Sequence, residues 1–145
     1  MHPYPHRYTT SATGGPAGSI AVSAAGLPDI ATAAPAEFDG PGDLWSPEML
    51  LCASVANCFV LTFRAYARAG KLDWNRLDCR VEAVLDRGDG VAQFTRFITH
   101  ATLAMSPSGD AAKARPLLAK AEERCLVANS LKGARELVVE IVHTG

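Results

Sequence analysis

The stretch from Ser46 to Gly70 constrains this chain more than any other. Ser46-Pro47-Glu48 is a helix start: a hydroxyl to cap free amides, a proline in the first turn where its missing donor costs nothing, and a carboxylate at the positive helix end. The following residues, through Met49, Leu50, Leu51, Val55, Cys58, Phe59, Leu61, Thr62 and Phe63, are apolar nearly all round. Polarity returns at Arg64, Arg68 and Lys71, with Gly70 as terminator. A helix without a polar face is a buried one, so a central helix wrapped by other elements is expected.

The flanking segments supply the wrapping. Arg7 to Ala12 and Ser19 to Ala24 carry short extended patterns around the turn Thr13-Gly14-Gly15-Pro16-Ala17-Gly18, another strand begins near Leu27, and residues 33 to 45 read as a loop. Leu77 to Asp86 alternates with Leu77, Cys79, Val81, Ala83 and Leu85 on one side, and Asp86-Arg87-Gly88-Asp89-Gly90 turns it into a partner strand, Val91 to Met105. A capped helix is expected from Asp110 through Arg124, with Pro116 bending it or marking a late start. Leu126 to Leu131 is a further helical piece, Gly133 breaks it, and Leu137 to Val142 is a closing strand. The fold class is α+β, a buried helix wrapped by sheet. At 145 residues and 48% hydrophobic content, residues 1–145 suit one domain with its own core.

Composition narrows the function. A formal charge of -1 and a pI near 6.4 leave no electrostatic footprint for nucleic acid. The N-terminal residues lack the apolar core of a secretory signal and no stretch reaches the length of a membrane span, so a cytoplasmic location without membrane association is the expectation. Four cysteines in a reducing compartment read as free thiols, small core residues or a catalytic pair. With no Cys-x-x-Cys and no Cys/His cluster at ligand spacing, neither metal nor cofactor is expected. His100 and His143 have no companion at ligand spacing, and Asp86 to Gly90 is too short for a calcium loop.

Cys58 closes the small-residue run Cys52-Ala53-Ser54-Val55-Ala56-Asn57, which suits a reactive thiol in a tight pocket and close helix packing equally. On one helix, Cys52 and Cys58 are separated by about 9 Å of rise and about 120° of rotation, so they cannot pair while it stays intact. Cys79 falls on the apolar side of its strand and reads as core. Cys125 stands between two helical segments, where a kink or a fresh helix start could expose its thiol. A nucleophilic thiol needs a cation or helix end to lower its pKa, and Arg7, Arg64, Arg68 and Arg124 are the candidates. Glu48 has two sufficient roles, the helix-start carboxylate and the partner of an arginine. About 15 Å of helix separates Glu48 from Cys58, so a broken helix or a second subunit is needed to join them.

Three segments together resemble the osmotically inducible and organic hydroperoxide resistance (OsmC/Ohr) family of thiol peroxidases. They are Thr13-Gly14-Gly15, then Ser46-Pro47-Glu48-Met49-Leu50-Leu51 with Cys58-Phe59 ten residues after Glu48, and Cys125-Leu126-Val127-Ala128-Asn129-Ser130. The resemblance implies an OsmC-like fold, antiparallel sheets around a central helix in an intertwined homodimer with sites at the interface. It implies Cys58 as peroxidatic and Cys125 as resolving thiol, with Glu48 orienting an arginine. Organic hydroperoxides, and less well hydrogen peroxide, would be substrates, and a dithiol such as a dihydrolipoyl protein the reductant, in an antioxidant role.

Two positions depart from the hydroperoxide resistance branch. Pro16 stands where that branch has its arginine, and proline carries neither charge nor donor. Leu126 replaces a proline. Both point to the broader OsmC-like group, with Arg7 or a partner's Arg64 as substitute cation. The alternative is a catalytically weak, small-molecule-binding dimer on the same scaffold.

Overall fold

The computed structural model describes all of residues 1–145, and backbone contacts divide them into two compact units, Met1–Leu51 and Cys52–Gly145. The first unit holds an antiparallel sheet of three short strands, β1 (Ser11–Thr13), β2 (Ile20–Ser23) and β3 (Ile30–Thr32), in that order. Ala12 sits opposite Val22, and Ala21 opposite Ala31. The third strand starts at Ile30 rather than near Leu27. Leu27 is spent on the reversal, its N–H donating to the Ala24 carbonyl at 3.1 Å beside Gly26 at φ 76°. The loop after β3 contains one 3-10 turn, Ala36–Phe38, and returns where the Ala33 N–H donates to the Trp45 carbonyl at 2.9 Å.

Helix α1 (Pro47–Ala69) begins as its residues dictate: the buried Ser46 hydroxyl accepts from the Met49 N–H at 3.2 Å, and Glu48 occupies the first turn. Its far end is closed by a Schellman arrangement, with the Leu72 N–H on the Ala67 carbonyl at 2.9 Å and the Lys71 N–H on that of Arg68 at 3.1 Å. The left-handed residue there is Lys71, at φ 55°, not Gly70. Gly70 serves a close approach instead, since a Cβ would come within 3.2 Å of the Leu117 side chain and of the Tyr66 carbonyl.

The second unit is built on β4 (Arg76–Gly88), β5 (Val91–Met105) and β6 (Ala134–His143). Asp89 and Gly90, at φ 51° and 78°, make the two-residue turn joining β4 to β5. A register shift between Val84 and Leu85 interrupts that otherwise regular antiparallel pair. The sheet is not antiparallel throughout: β6 lies parallel to β5, with Thr99 opposite Leu137 and Leu103 opposite Ile141. A parallel neighbour needs a crossover, and α2 (Ala111–Glu123) with α3 (Leu126–Asn129) supplies it. Asp110 caps α2 by accepting from the Lys113 N–H at 3.0 Å, so α2 starts before Pro116 and contains it.

The core of this unit is Phe59, Phe63 and Ala67 of α1 set against Ala101, Leu103 and Met105 of β5 and Ala114, Leu118 and Ala121 of α2. Phe63 meets Trp74 edge-on at 5.3 Å between ring centroids. Burial of α1 is thereby confined to one stripe, Val55, Phe59, Phe63 and Ala67, at the i, i+4 repeat of a helix lying on a sheet. The expectation of a helix enclosed on all sides is not met within one chain: Met49 and Leu61 are 58% and 51% exposed. One sheet covers one face of a helix. The expectation that no stretch is long enough to span a membrane also needs correction, because the 23 residues of α1 meet that test by length and composition, as an apolar core helix does.

Candidate functional site: a thiol pair between α1 and α3

Cys58 lies on α1 between the buried residues Val55 and Phe59, and is itself half-buried. Thr62, one turn on, holds its hydroxyl 3.8 Å from the Cys58 sulfur while donating to the Cys58 carbonyl at 2.7 Å. Cys125 sits at the junction of α2 and α3 with extended backbone, φ −64° and ψ 105°. The junction does not expose this thiol. Instead Cys125 is 1% exposed, because the bend turns it inward among Val55 and Ala128, with Cys58, Val81, Val127 and Leu131 around them. Leu126, next in sequence, points out and is 68% exposed.

The two thiols adjoin, and their environments push them apart in acidity. Burial acts to raise the Cys58 pKa, but the Val127 amide, the Cys125 thiol, the Thr62 hydroxyl and the Leu126 amide all favour its anion, and the net shift is downward. Burial pushes Cys125 up to about 11. The neighbouring Cys58 adds to that shift, against the Ala128 and Val127 amides. The α3 turn therefore aims backbone donors at one sulfur while the protein keeps the other protonated. Such a pair can divide labour, one sulfur as nucleophile and the other as proton-bearing second thiol.

The other two cysteines are not prepared in this way. Cys79, on the core-facing side of β4, is pushed to about 11 by burial and then by Cys125, and burial also raises Cys52. His143 meets the Gly109 carbonyl at 3.1 Å.

Glu48 is placed apart from the thiols by an unbroken α1. Within the first unit it lines a largely apolar cavity of about 470 Å3 with Ile20, Val22, Pro35, Phe38 and Leu50. Its Oε1 is buried and has no hydrogen-bond partner. Pro16 is exposed between β1 and β2. Arg7, Arg64, Arg68 and Arg124 are all exposed, and the chain's ion pairs use other arginines: Arg76 with Asp78, Arg96 with Glu136, and Arg135 with Glu122. Thr62 was legible from its i, i+4 spacing to Cys58. The Leu126 and Val127 amides were not, because backbone donors acquire a target only when the turn at Cys125 forms.

An α+β chain with a helix-borne thiol facing a second thiol at a bent helix junction defines a recognisable class, and comparison with known proteins gives it a name. Residues 40–140 match the OsmC-like protein family, and the chain belongs to that family. Among curated proteins it is similar to the uncharacterized protein YmaD of Bacillus subtilis (strain 168), 28% identical over 109 residues, covering 73% of each chain. Among solved structures it is similar to an OsmC-like protein from Mycoplasma pneumoniae, with a TM-score of 0.81 at 18% identity, over 97% of this chain and 100% of that one. It is also similar to an organic hydroperoxide resistance protein from Legionella pneumophila, with a TM-score of 0.75 at 25% identity, over 97% of this chain and 99% of that one.

Proposed function

We propose that the chain, acting as one OsmC-like domain, is a cysteine-based thiol peroxidase that reduces organic hydroperoxides, and hydrogen peroxide less well. Family membership supports a general redox and antioxidant role. The observation that carries the finer reading is the adjoining pair Cys58 and Cys125, with the first shifted toward thiolate and the second held protonated.

In this reading the Cys58 thiolate attacks the terminal oxygen of R–O–OH. The O–O bond breaks, the alkoxide leaves as alcohol after taking a proton, and Cys58 becomes a sulfenic acid. The Cys125 sulfur then attacks the Cys58 sulfur, water leaves, and a disulfide forms. A dithiol reductant, of which a dihydrolipoyl protein is the expected kind, restores both thiols in two exchange steps. Glu48 and an activating arginine complete the site from a second subunit. The apolar faces of α1 that one chain leaves uncovered, Met49 and Leu61 included, support a homodimer. Arg7 and Arg64, both free of ion pairs, are the candidate cations.

Stopped-flow oxidation by cumene hydroperoxide tests the reading. Cys58 is expected to react orders of magnitude faster than free cysteine, with all fast consumption lost in C58S. A rate equal to that of free cysteine would overturn it. A second reading, a small-molecule-binding dimer with weak catalysis, is favoured by the apolar cavity beside the unpartnered Glu48 oxygen and by Pro16. Ligand retained through purification together with inert thiols would decide for it.

A further inference from the structure

Arg135 occupies an unexpected place on β6. The positions that follow on its face, Leu137, Val139 and Ile141, pack into the core, so the pattern calls for an apolar residue. The arginine is three-quarters covered instead, its side chain 24% exposed. Gly133, at φ 105°, brings the chain into β6 so closely that a Cβ there would lie 3.0 Å from the Thr95 carbonyl group on β5.

From that position the guanidinium reaches both sides of the bend at Cys125. Its Nε donates to Glu122 Oε1 at 2.7 Å, its Nη2 to the Glu122 carbonyl, and its Nη1 to Asn129 Oδ1 at 2.6 Å. Glu122 is in the last turn of α2 and Asn129 ends α3, so a single planar group ties together the two helices that flank Cys125. Burial of Cys125 and short-range bonds such as the Asn129 N–H on the Cys125 carbonyl at 2.9 Å also shape the bend, but Cys125 offers α3 no side-chain cap, α3 is one turn long, and Arg135 alone joins α2 to α3 through side chains. Without the clamp, the packing of Cys125 remains, but the angle between α2 and α3, and with it the reach of the Cys125 sulfur toward Cys58, loses its side-chain restraint.

We propose that Arg135 is the positioning residue for the second thiol, fixing the α2–α3 bend so that Cys125 is held against Cys58. The role in turnover rests on the peroxidase reading; the geometric role does not. In turnover the step affected is resolution, in which the Cys125 sulfur bonds to the sulfenic sulfur of Cys58, the sulfenic oxygen leaves as water with the Cys125 proton, and the disulfide forms.

The test compares full-length wild type with R135A, N129A and, as a control that cuts an exposed ion pair on the same sheet, R96A. The first measurement is the equilibrium of the Cys58–Cys125 disulfide against glutathione. R135A is expected to lower the effective concentration of the two thiols about tenfold or more, N129A about threefold, and R96A not at all. The second is the lifetime of the Cys58 sulfenic acid after cumene hydroperoxide, trapped with dimedone and read by mass spectrometry. R135A is expected to lengthen it about tenfold with the rate of Cys58 attack held within about twofold, a split that general destabilisation would not produce.

Wild-type equilibrium in both R135A and N129A would overturn the proposal, as would failure of the wild type to form the Cys58–Cys125 disulfide at all. If R135A does not fold, N129A decides. If the wild type is inert to hydroperoxide yet forms the disulfide with glutathione, the peroxidase reading fails while the equilibrium comparison still decides the role of Arg135.

Discussion

Cys58 on α1 packs against the buried cluster that holds Cys125 at the start of α3, and the two thiols are shifted in opposite directions. An attacking thiolate and a proton-bearing resolving thiol ask for this division. Alkylation followed residue by residue across pH checks it. Cys58 is expected to react with a midpoint below the ordinary thiol value of 9.0, and Cys125 to stay unreactive until about 11. Equal midpoints would remove the basis for assigning separate roles.

Stability should fall at alkaline pH. Cys79 and Cys125 titrate near 9.0 when unfolded and at about 11 when folded, so above 9.0 the unfolded state releases protons first. Their contribution is intact below 9.0 and is lost as pH rises toward 11, while Cys58, shifted downward, makes its gain below 9.0 and adds no further change within that window. The unfolding free energy read from urea titrations is expected to fall across that window, by at most about 3 kcal/mol for each of the two groups. C79S should flatten the drop.

Phe63 anchors the packing of α1 on the β4–β6 sheet. It is fully buried and meets Trp74 edge-on. Phe63→Ala is expected to cost about 3–5 kcal/mol in urea unfolding. Leu61, two residues away and half exposed, should behave differently: L61E is expected to leave the fold intact and to halve the mass seen by light scattering, since a dimer would need that face. A wild-type mass equal to one chain would dispose of the dimer.

Lys71 holds a left-handed conformation that glycine adopts without steric cost. K71G is expected to raise stability by about 0.5–1 kcal/mol, because the strain of a Cβ at positive φ exceeds the added chain entropy of glycine at this position. Thermal unfolding reads the sign directly.

Glu48 carries a buried carboxylate oxygen without a partner in its own chain. If a second subunit supplies an arginine to it, E48Q should slow Cys58 oxidation by about 10- to 100-fold with little change in unfolding midpoint. An unchanged rate would reduce Glu48 to its place in the first turn of α1.

The sequence by itself determined the elements whose signals are local. Ser46 caps α1, Asp110 caps α2, and Asp89-Gly90 turns β4 into β5, because each depends on groups within a few residues. The motif spacing around Glu48, Cys58 and Cys125 was legible in the same way, and so was the family. Tertiary structure decided what depends on distant partners. β6 lies parallel to β5 because the α2–α3 crossover returns it to the same end of the sheet, and hydrophobic alternation reads the same in either direction. One sheet covers one stripe of α1, a limit of area that the apolar character of the helix does not encode. The downward shift of Cys58 and the burial of Cys125 depend on the bend between α2 and α3, where backbone amides acquire direction only once the chain has closed on itself.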